Sequence, residues 1–295
     1  MHNGKIIDKA RNNKVLDCNN CGFTHVLPIP DQKELQHIYS SKYYEEEKPL
    51  YIKRDKEDGK WWKTIYRDRV DLLEKHASAK SKKLLELGSG PGNFLHYAKS
   101  HGWHVLGIEP SASNLKFYKR NRIKVINGFY EGIEPNTIGH FDCVVMYEFL
   151  EHIQDPHGAI KFAHKVLNKN GVISVTVPND YNPLQAVVIK KLKLKPYWFA
   201  PPFHINYFNI DTIKRLLEKN GFKIIDIETD FPMEFFLLMG ENYVGNDKLG
   251  RDVHKKRKLL DMALSEYNND LKKNIYSTFA KYNIGRNVTV SAKKV

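Results

Sequence analysis

The chain has 295 residues, of which 41% are hydrophobic and 12% aromatic, which is enough for one main domain and a small appendage. No apolar run approaches the ~18 residues that span a bilayer, and the polar start lacks the apolar core of a signal peptide, so we expect a cytoplasmic protein without a transmembrane segment. The net charge of +13 favours an anionic partner, such as a nucleotide-linked substrate, a phosphorylated glycan, a lipid surface or a nucleic acid.

Residues 1–82 precede the regular part of the sequence, and we expect them to form an extension or lid. Within them, Cys18 and Cys21 form a Cys-x-x-Cys hairpin that is similar to one knuckle of a zinc ribbon. His2 and His25 are the candidates to complete such a site. Because a closed zinc site needs four ligands and the chain has no second Cys-x-x-Cys pair, the sequence favours a metal-free hairpin, with zinc as the alternative.

From Lys83 onward, apolar runs rich in Val, Ile and Leu alternate with helical segments, which predicts a parallel sheet with helices on both faces. The predicted strands are Lys83–Leu87, Trp103–Glu109, Lys124–Asn127, Phe141–Tyr147, Gly171–Val177, Phe222–Thr229 and Asn287–Ala292. The predicted helices are Asn93–Ser100, Ser111–Asn121, Pro156–Leu167 and Asp211–Asn220. Asp211 is the predicted N-cap of the last of these helices.

The first strand continues directly into a turn with three glycines, Gly88, Gly90 and Gly92, and then into a helix. Glycines let the backbone turn sharply and approach a ligand, and the helix start presents free N–H groups to it. Glu109 ends the next strand about 20 residues later, where a carboxylate accepts hydrogen bonds from ribose hydroxyls. Dinucleotide-binding sites share these features, but their glycines have the spacing Gly-x-Gly-x-x-Gly. This chain has Gly-x-Gly-x-Gly instead, without a glycine at the last position of that motif, and Glu86 lies two residues before the turn.

The fourth strand leads into Glu148-Phe149-Leu150-Glu151-His152, and the fifth ends at Val177-Pro178-Asn179. Together with the glycine turn, this succession resembles motifs I and IV to VI of class I S-adenosylmethionine (SAM)-dependent methyltransferases, over roughly residues 83–230. The ubiquinone-biosynthesis O-methyltransferase branch, which is methyltransferase domain 23-like, is the most similar. The resemblance implies an α/β fold for residues 83–295: a Rossmann-like, doubly wound, seven-stranded sheet in the order 3-2-1-4-5-7-6, with strand 7 antiparallel.

The resemblance also implies a SAM site. Its members would be Glu86, Gly88, Ser89, Gly90, Gly92, Glu109, Pro110, Ser111, Gly128, Phe129 and Tyr147. Many relatives place an Asp after the third strand, whereas this chain has Asn127-Gly128-Phe129 there, so backbone groups with Phe129, or else Asn127, would hold adenine. In related enzymes, the segment that contains Tyr43, Tyr44, Trp61 and Trp62 covers the cofactor, although core packing explains the two tryptophans as well.

Methyl transfer from a sulfonium requires the protein to align the nucleophile and remove its proton. The E-x-x-E-H pattern of Glu148, Glu151 and His152 is associated with a divalent cation in ubiquinone-type O-methyltransferases, and the alternative is a metal-free turn. We expect His152 to act as general base with Glu148 beside it. His204 is the rival base, and its alternative role is a structural histidine bonded to its own loop.

Two insertions interrupt the alternation of strands and helices. Residues 179–209 are long, proline-rich and aromatic, and we expect them to cover the substrate with Tyr181, Tyr197, Trp198 and Phe199. The lysines of this segment, Lys190, Lys191, Lys193 and Lys195, form either a solvated face or a contact with a membrane surface or an acidic substrate. Residues 247–282 are rich in charged side chains, and their pattern predicts two helices.

The first interpretation of the sequence is a SAM-dependent methyltransferase that acts on a hydroxyl of a sugar, a nucleotide-sugar or a phenolic compound. Methylation at nitrogen or carbon of a small metabolite is an alternative. An RNA methyltransferase would suit the positive charge, but the chain lacks the Asn/Asp-Pro-Pro-Tyr/Phe tetrad that holds a flipped base. A non-catalytic binding module with the same fold is the remaining alternative.

Overall fold

The computed structural model describes residues 2–10, 13–39, 57–77 and 81–295. The predicted lid residues Tyr43 and Tyr44 lie outside these ranges. The chain forms two compact units, each built from several segments. Unit 1 consists of Met1–Pro28, Val177–Arg215 and Asp226–Val290, and unit 2 consists of Ile29–Thr176, Leu216–Ile225 and Ser291–Val295. The division into residues 1–82 and 83–295 stays a prediction.

The strands of the described residues form two sheets. In chain order they are β1 (Gly4–Ala10), β2 (Asn13–Cys18), β3 (Phe23–Leu27), β4 (Lys83–Leu87), β5 (His104–Glu109), β6 (Lys124–Asn127), β7 (Phe141–Tyr147), β8 (Leu167–Pro178), β9 (Asn206–Tyr207), β10 (Phe222–Thr229) and β11 (Asn287–Lys294). The first three strands were not predicted. Their antiparallel pairing, which continues from β3 to β9, makes a four-stranded sheet in the order β1-β2-β3-β9.

The larger sheet has seven strands in the order β10-β11-β8-β7-β4-β5-β6, which confirms the predicted order. The pairs β4–β5, β4–β7, β5–β6 and β7–β8 are parallel. At the end of β11, Lys294 Nζ donates to the Leu167 carbonyl at 2.9 Å and the Val295 N–H donates to the Gly221 carbonyl at 3.1 Å. The end of β11 therefore lies beside the starts of β8 and β10, so this strand is antiparallel to both and the sheet is mixed, as predicted.

The described residues form ten α-helices, several of which connect consecutive strands of the large sheet. They are α1 (Gln32–His37), α2 (Gly59–His76), α3 (Asn93–Ser100), α4 (Leu115–Asn121), α5 (Pro156–Val166), α6 (Pro183–Leu192), α7 (Ile210–Lys219), α8 (Glu234–Leu238), α9 (Asp247–Tyr267) and α10 (Asn269–Lys281). The two helices predicted for residues 247–282 are α9 and α10. Among the described helices, none is both long enough and apolar enough to cross a membrane.

Two predicted helix starts were wrong. The cap of α7 is Asn209 rather than Asp211: Asn209 Oδ1 accepts from the Thr212 N–H at 3.0 Å, and Thr212 Oγ1 accepts from the Asn209 N–H at 2.8 Å. These two reciprocal hydrogen bonds give partners to the N–H groups of both Asn209 and Thr212, which a cap at Asp211 would not do. The helix predicted from Ser111 begins with a 3₁₀ turn, Ala112–Asn114, before α4 continues it.

The core of unit 2 lies between the sheet and its helices. It contains side chains from α2, β4, α3 and β7 that are almost fully excluded from solvent, among them Leu73, Leu84, Leu95 and Val145. Most side chains of β4 and β7 are hydrophobic and buried, because both faces of a central parallel strand are covered. This packing holds the ends of β4, β5 and β7, and the turns that follow them, in fixed positions.

Unit 1 contains the four-stranded sheet, the segment 179–209 and helices α8 to α10. The aromatic side chains that were predicted to cover a substrate pack against one another. The centre of the Tyr181 ring lies 5.2 Å from the ring centre of Trp198 and 6.0 Å from that of Phe199. The four lysines of the same segment are exposed. In α9, the buried Arg257 guanidinium donates to Asp230 at 2.8 Å, and Asp230 also accepts from the Asn287 N–H at 2.8 Å.

Candidate functional site

The glycine turn between β4 and α3 has the backbone that its sequence predicts. Gly88, Gly90 and Gly92 have φ of +69°, +53° and +81°, the left-handed region that glycine adopts without strain. A Cβ on Gly88 would lie 2.4 Å from the Phe149 ring, and one on Gly92 would lie 2.8 Å from the Tyr118 ring. Both positions therefore require glycine for conformation and for space.

Glu109 ends β5 beside this turn. Its Oε2 accepts from the Gly90 N–H at 2.8 Å, and its Oε1 accepts from the Ser111 N–H at 2.9 Å. Burial raises the pKa of the Glu109 carboxyl to about 7, although hydrogen bonds from Ser111, Gly90 and Asn114 oppose the shift. The Glu109 carboxylate is thus hydrogen-bonded to the backbone of the turn, and it lies at the edge of the turn, where it can accept a hydrogen bond from a ligand.

Glu86 lies in the middle of β4 and is 5% exposed. Burial raises the pKa of its carboxyl to about 8, the Arg69 charge opposes the shift and the Glu109 charge adds to it. Within the described part of the chain, Glu86 Oε2 is buried and has no hydrogen-bond partner. A buried acceptor of this kind is costly unless a donor reaches it, so Glu86 is suited to receive a cationic ligand group.

Arg69 was not predicted to belong to the site. It projects from α2, and its guanidinium carbon lies 3.9 Å from the centre of the Tyr147 ring. This distance is typical of a cation–π contact. No local motif surrounds Arg69 in the sequence, and only the packing of α2 brings it to β4 and β7.

These groups line one cavity in unit 2, which we call the unit 2 cavity. Of the predicted site residues, it is lined by Glu86, Gly88, Ser89, Gly90, Glu109, Pro110, Gly128, Phe129, Tyr147, Glu148 and His152. Residues that line it without having been predicted include Tyr39, Tyr66, Arg69, Asn93 and Glu131. Trp62, from the predicted lid, also lines it, whereas Trp61 is buried beside Trp62 with 4.7 Å between the ring centres.

Apart from Cys18 and Cys21, four residues of the predicted catalytic, cofactor and cation sites are not among those that line the cavity. Gly92 and Ser111 stand behind it, where they shape the turn and hold Glu109. Glu151 is 1% exposed, next to His152. His204 belongs to unit 1, where its N–H donates to the Ala200 carbonyl at 2.9 Å and its carbonyl accepts from the Tyr207 hydroxyl at 3.0 Å.

His152 lies in a 3₁₀ turn after β7, between a phenol and a carboxylate. Its Nδ1 is 2.8 Å from the Tyr39 hydroxyl, and its Nε2 is 3.8 Å from Glu151 Oε1. Glu148 adopts a positive φ of +53°, is exposed, and donates its N–H to the Thr176 carbonyl at 2.8 Å. In the described residues, the ligand atoms of Glu148, Glu151 and His152 do not all lie within 4.8 Å of one another. The cation site therefore stays a prediction.

Cys18 and Cys21 lie in unit 1, at the turn between β2 and β3. The sulfur atoms of both cysteines and one ring nitrogen each of His2 and His25 all lie within 4.8 Å of one another. The structure thus brings together the two cysteines and the two histidines that were named as candidates. None of these four side chains lines the unit 2 cavity.

A model of the family described as "Methyltransferase domain" matches residues 60–227, which is more than half of the chain. The ubiquinone biosynthesis O-methyltransferase of Chromobacterium violaceum is 26% identical over 119 residues, which are 38% of this chain and 50% of that protein. The enzyme of the same name from Pelagibacter ubique is 32% identical over 107 residues, which are 34% of this chain and 43% of that protein. The chain thus spans about half the length of the relatives it matches.

Solved structures share the fold at lower identity. A SAM-dependent methyltransferase from Archaeoglobus fulgidus has a TM-score of 0.50 and 17% identity, with 80% of this chain and 97% of that chain covered. A SAM-dependent methyltransferase from Thermotoga maritima, described as a possible histamine N-methyltransferase, has the same TM-score and identity over 88% of this chain and 100% of that chain. At 17% identity, this similarity concerns the fold alone.

Proposed function

The chain belongs to the methyltransferase domain family, and from this premise we propose that its unit 2 cavity binds SAM and that the protein methylates a hydroxyl of a small molecule. The observation that carries the proposal is the pair of buried carboxylates, Glu86 and Glu109, on either side of a glycine turn in one cavity. They match two polar groups of SAM, the ammonium of its methionine part and the hydroxyls of its ribose. The names of the matched relatives support oxygen as the methylated atom.

The chemistry of the cavity fits SAM. Glu86 would accept from the ammonium group, because its buried Oε2 has no hydrogen-bond partner among the described residues. Arg69, which also faces the cavity, would hold the carboxylate of the methionine end. Glu109 would accept from the ribose hydroxyls. A nicotinamide dinucleotide offers no ammonium to Glu86, so this end of the cavity discriminates between the two cofactors.

The adenine end of the cavity relies on the segment after β6. Phe129 and Gly128 line the cavity, so Phe129 is the proposed stacking partner of the base. Asn127 is less suited, because its amide group already donates to the carbonyls of Glu109 at 2.9 Å and Pro110 at 3.0 Å. Glu131, two residues after Phe129 on the cavity wall, is the acceptor that we propose for the amino group of adenine.

When bound, SAM supplies a methyl group already activated by its sulfonium. His152 then removes the proton from the acceptor hydroxyl, because a neutral imidazole is a suitable base near pH 7. The Tyr39 hydroxyl, 2.8 Å from Nδ1, would fix the orientation of the His152 ring, and the Glu151 carboxylate, 3.8 Å from Nε2, would stabilise the imidazolium that forms. The aromatic side chains of Trp62 and Tyr66 would exclude water from the reacting atoms.

The first test of the proposal is a comparison of two cofactors. In calorimetric titrations of the purified full chain, SAM is expected to bind and NAD is not. Transfer of a labelled methyl group from SAM to phenolic, sugar and nucleotide-sugar acceptors would then identify the acceptor class. Mass spectrometry of the products would distinguish methylation at oxygen from methylation at nitrogen or carbon. Binding of NAD together with no binding of SAM would overturn the proposal.

A second test concerns the base. His152→Gln is expected to lower kcat by about 10²–10⁴-fold, the usual contribution of a general base, while the Kd for SAM changes little. Gln retains hydrogen-bonding groups but cannot accept a proton near pH 7. The matched control is Tyr39→Phe, which keeps the aromatic ring and removes the hydroxyl, and its kcat should fall much less. Unchanged turnover in His152→Gln would assign the role to His204 or to no residue.

A further inference from the structure

A group of two thiols and two imidazoles lies in unit 1, outside the unit 2 cavity. We propose that it is a closed structural zinc site whose four ligands are His2, Cys18, Cys21 and His25. The ligand atoms all lie within 4.8 Å of one another, which a single ion can bridge. Two thiolates and two imidazoles are a ligand set that selects zinc over the hard cations Mg²⁺ and Ca²⁺.

The distances agree with tetrahedral coordination. His2 Nδ1 lies 3.4 Å from Cys21 Sγ and 3.9 Å from Cys18 Sγ. With ordinary Zn–S and Zn–N bond lengths, a tetrahedral zinc ion separates a sulfur ligand from a nitrogen ligand by about 3.6 Å. The two observed separations lie on either side of this value. Zinc would therefore enter with small adjustments of side chains rather than a rearrangement of the strands.

His25 supplies the second, independent observation. It is 1% exposed, and its Nδ1 lies 2.9 Å from the Val26 carbonyl. Because a carbonyl only accepts, Nδ1 carries the proton and Nε2 has a free lone pair. His25 Nε2 is buried without a hydrogen-bond partner in the described part of the chain. A ligand histidine whose other ring nitrogen donates to a backbone carbonyl is the usual arrangement in zinc proteins.

The backbone holds the cysteines in place. Cys18 ends β2, and the turn that follows is closed by the Gly22 N–H, which donates to the Cys18 carbonyl at 2.8 Å. Gly22, directly after Cys21, has a positive φ of +80°, which lets the backbone complete the tight turn from β2 into β3. On the other side, the Asn19 N–H donates to the Asn3 carbonyl at 2.9 Å, which brings the start of β1, and His2 before it, to the turn.

The site is structural rather than catalytic, because four protein ligands leave no position for water or substrate. Binding would release the thiol protons and join three places in the sheet: the start of β1, the turn after β2, and β3. His25 pairs with Asn206 of β9, so the ion would also stabilise the edge at which β9 joins the sheet. The sequence alone favoured a metal-free hairpin because it contains one Cys-x-x-Cys pair, whereas the structure supplies two histidines in place of the second pair.

The test is the metal content of the full chain. Protein purified under reducing conditions from zinc-supplemented medium is expected to retain about one zinc per chain after dialysis, as measured by plasma mass spectrometry. Cobalt substitution should give the visible spectrum of a tetrahedral ion with thiolate ligands. Zinc far below one equivalent would overturn the proposal, whether the thiols titrate as free or prove to be joined in a Cys18–Cys21 disulfide.

Variants separate this site from adventitious metal. Cys18→Ala and His25→Ala are expected to lose the zinc, and Cys143→Ala, which removes a buried thiol of β7 outside the group, should retain it. His2→Gln removes the one exposed ligand and is not expected to impair folding, so faster release of zinc to a colorimetric chelator from this variant keeps the test decisive. Retention of zinc by Cys18→Ala, or unchanged release from His2→Gln, would contradict the proposal.

Discussion

Glu109→Ala is expected to weaken the binding of SAM by about a hundredfold or more. A hydrogen bond to a charged group is worth about 1.5–3 kcal/mol, and Glu109 would accept one from each of the two ribose hydroxyls. Their joint loss corresponds to about 3 kcal/mol or more, which is at least two orders of magnitude in Kd. The same change frees the N–H groups of Gly90 and Ser111, so the turn itself would be less ordered. Calorimetric titration with SAM measures the effect.

Two further variants separate binding from folding. Glu109→Gln keeps one acceptor oxygen for the backbone and should bind SAM with intermediate affinity. Glu134→Ala removes an exposed carboxylate that does not line the unit 2 cavity, and its affinity should equal that of the original chain. Circular dichroism would show whether the variants are folded. Undiminished affinity in a folded Glu109→Ala protein would remove Glu109 from the ribose site.

The second large effect concerns stability as a function of pH. The folded-state pKa of Glu86, about 8, lies above its ordinary value of 4.5, so the folded protein keeps a proton that the unfolded chain loses. The corresponding stabilisation is complete below pH 4.5 and is lost as the pH rises through 8. At ~1.4 kcal/mol for each unit of pKa shift, the total loss is on the order of 5 kcal/mol. Glu86→Gln is expected to abolish this part of the pH dependence.

Denaturant unfolding of both proteins at several pH values between 5 and 8 measures this difference. The free energy of unfolding of the original chain should fall more steeply with pH than that of Glu86→Gln. Glu109, with its pKa of about 7, contributes a slope of the same sign in both proteins. Glu134→Gln, at the surface, serves as the control for loss of a carboxylate. Parallel curves for the original chain and Glu86→Gln would show that Glu86 is ionised in the folded state.

The two predictions differ in what they depend on. The loss of SAM affinity in Glu109→Ala depends on the proposed function, because it requires the ribose to lie beside the carboxylate. The change of slope in Glu86→Gln depends only on the burial of the side chain in β4. If the pH experiment succeeds and SAM does not bind, Glu86 is buried as described and the proposed cofactor is wrong.

Much of the fold was predictable because its signals are local. The apolar runs of β4 and β7 and the glycine turn after β4 each depend on residues within one element or its next neighbour. The exceptions were two helix starts and the strands of the four-stranded sheet. At one helix start, Asn209 and Asp211 are both suitable caps, and the side chain of Thr212 decides between them. The sheet order came from resemblance to a family rather than from local patterns, and the structure confirms it.

The class of the fold, the turn with Gly88 and Gly90, and the acidic residue that ends β5 could all be predicted from the amino-acid sequence, because short-range periodicity and backbone conformation encode them. The contacts between distant segments became visible only in the folded structure. It brought Tyr39 to His152 across 113 positions of the chain and assembled two histidines around the cysteine pair. Such contacts depend on strand register and helix packing, which are properties of the whole fold and leave no periodic signal around the residues that meet.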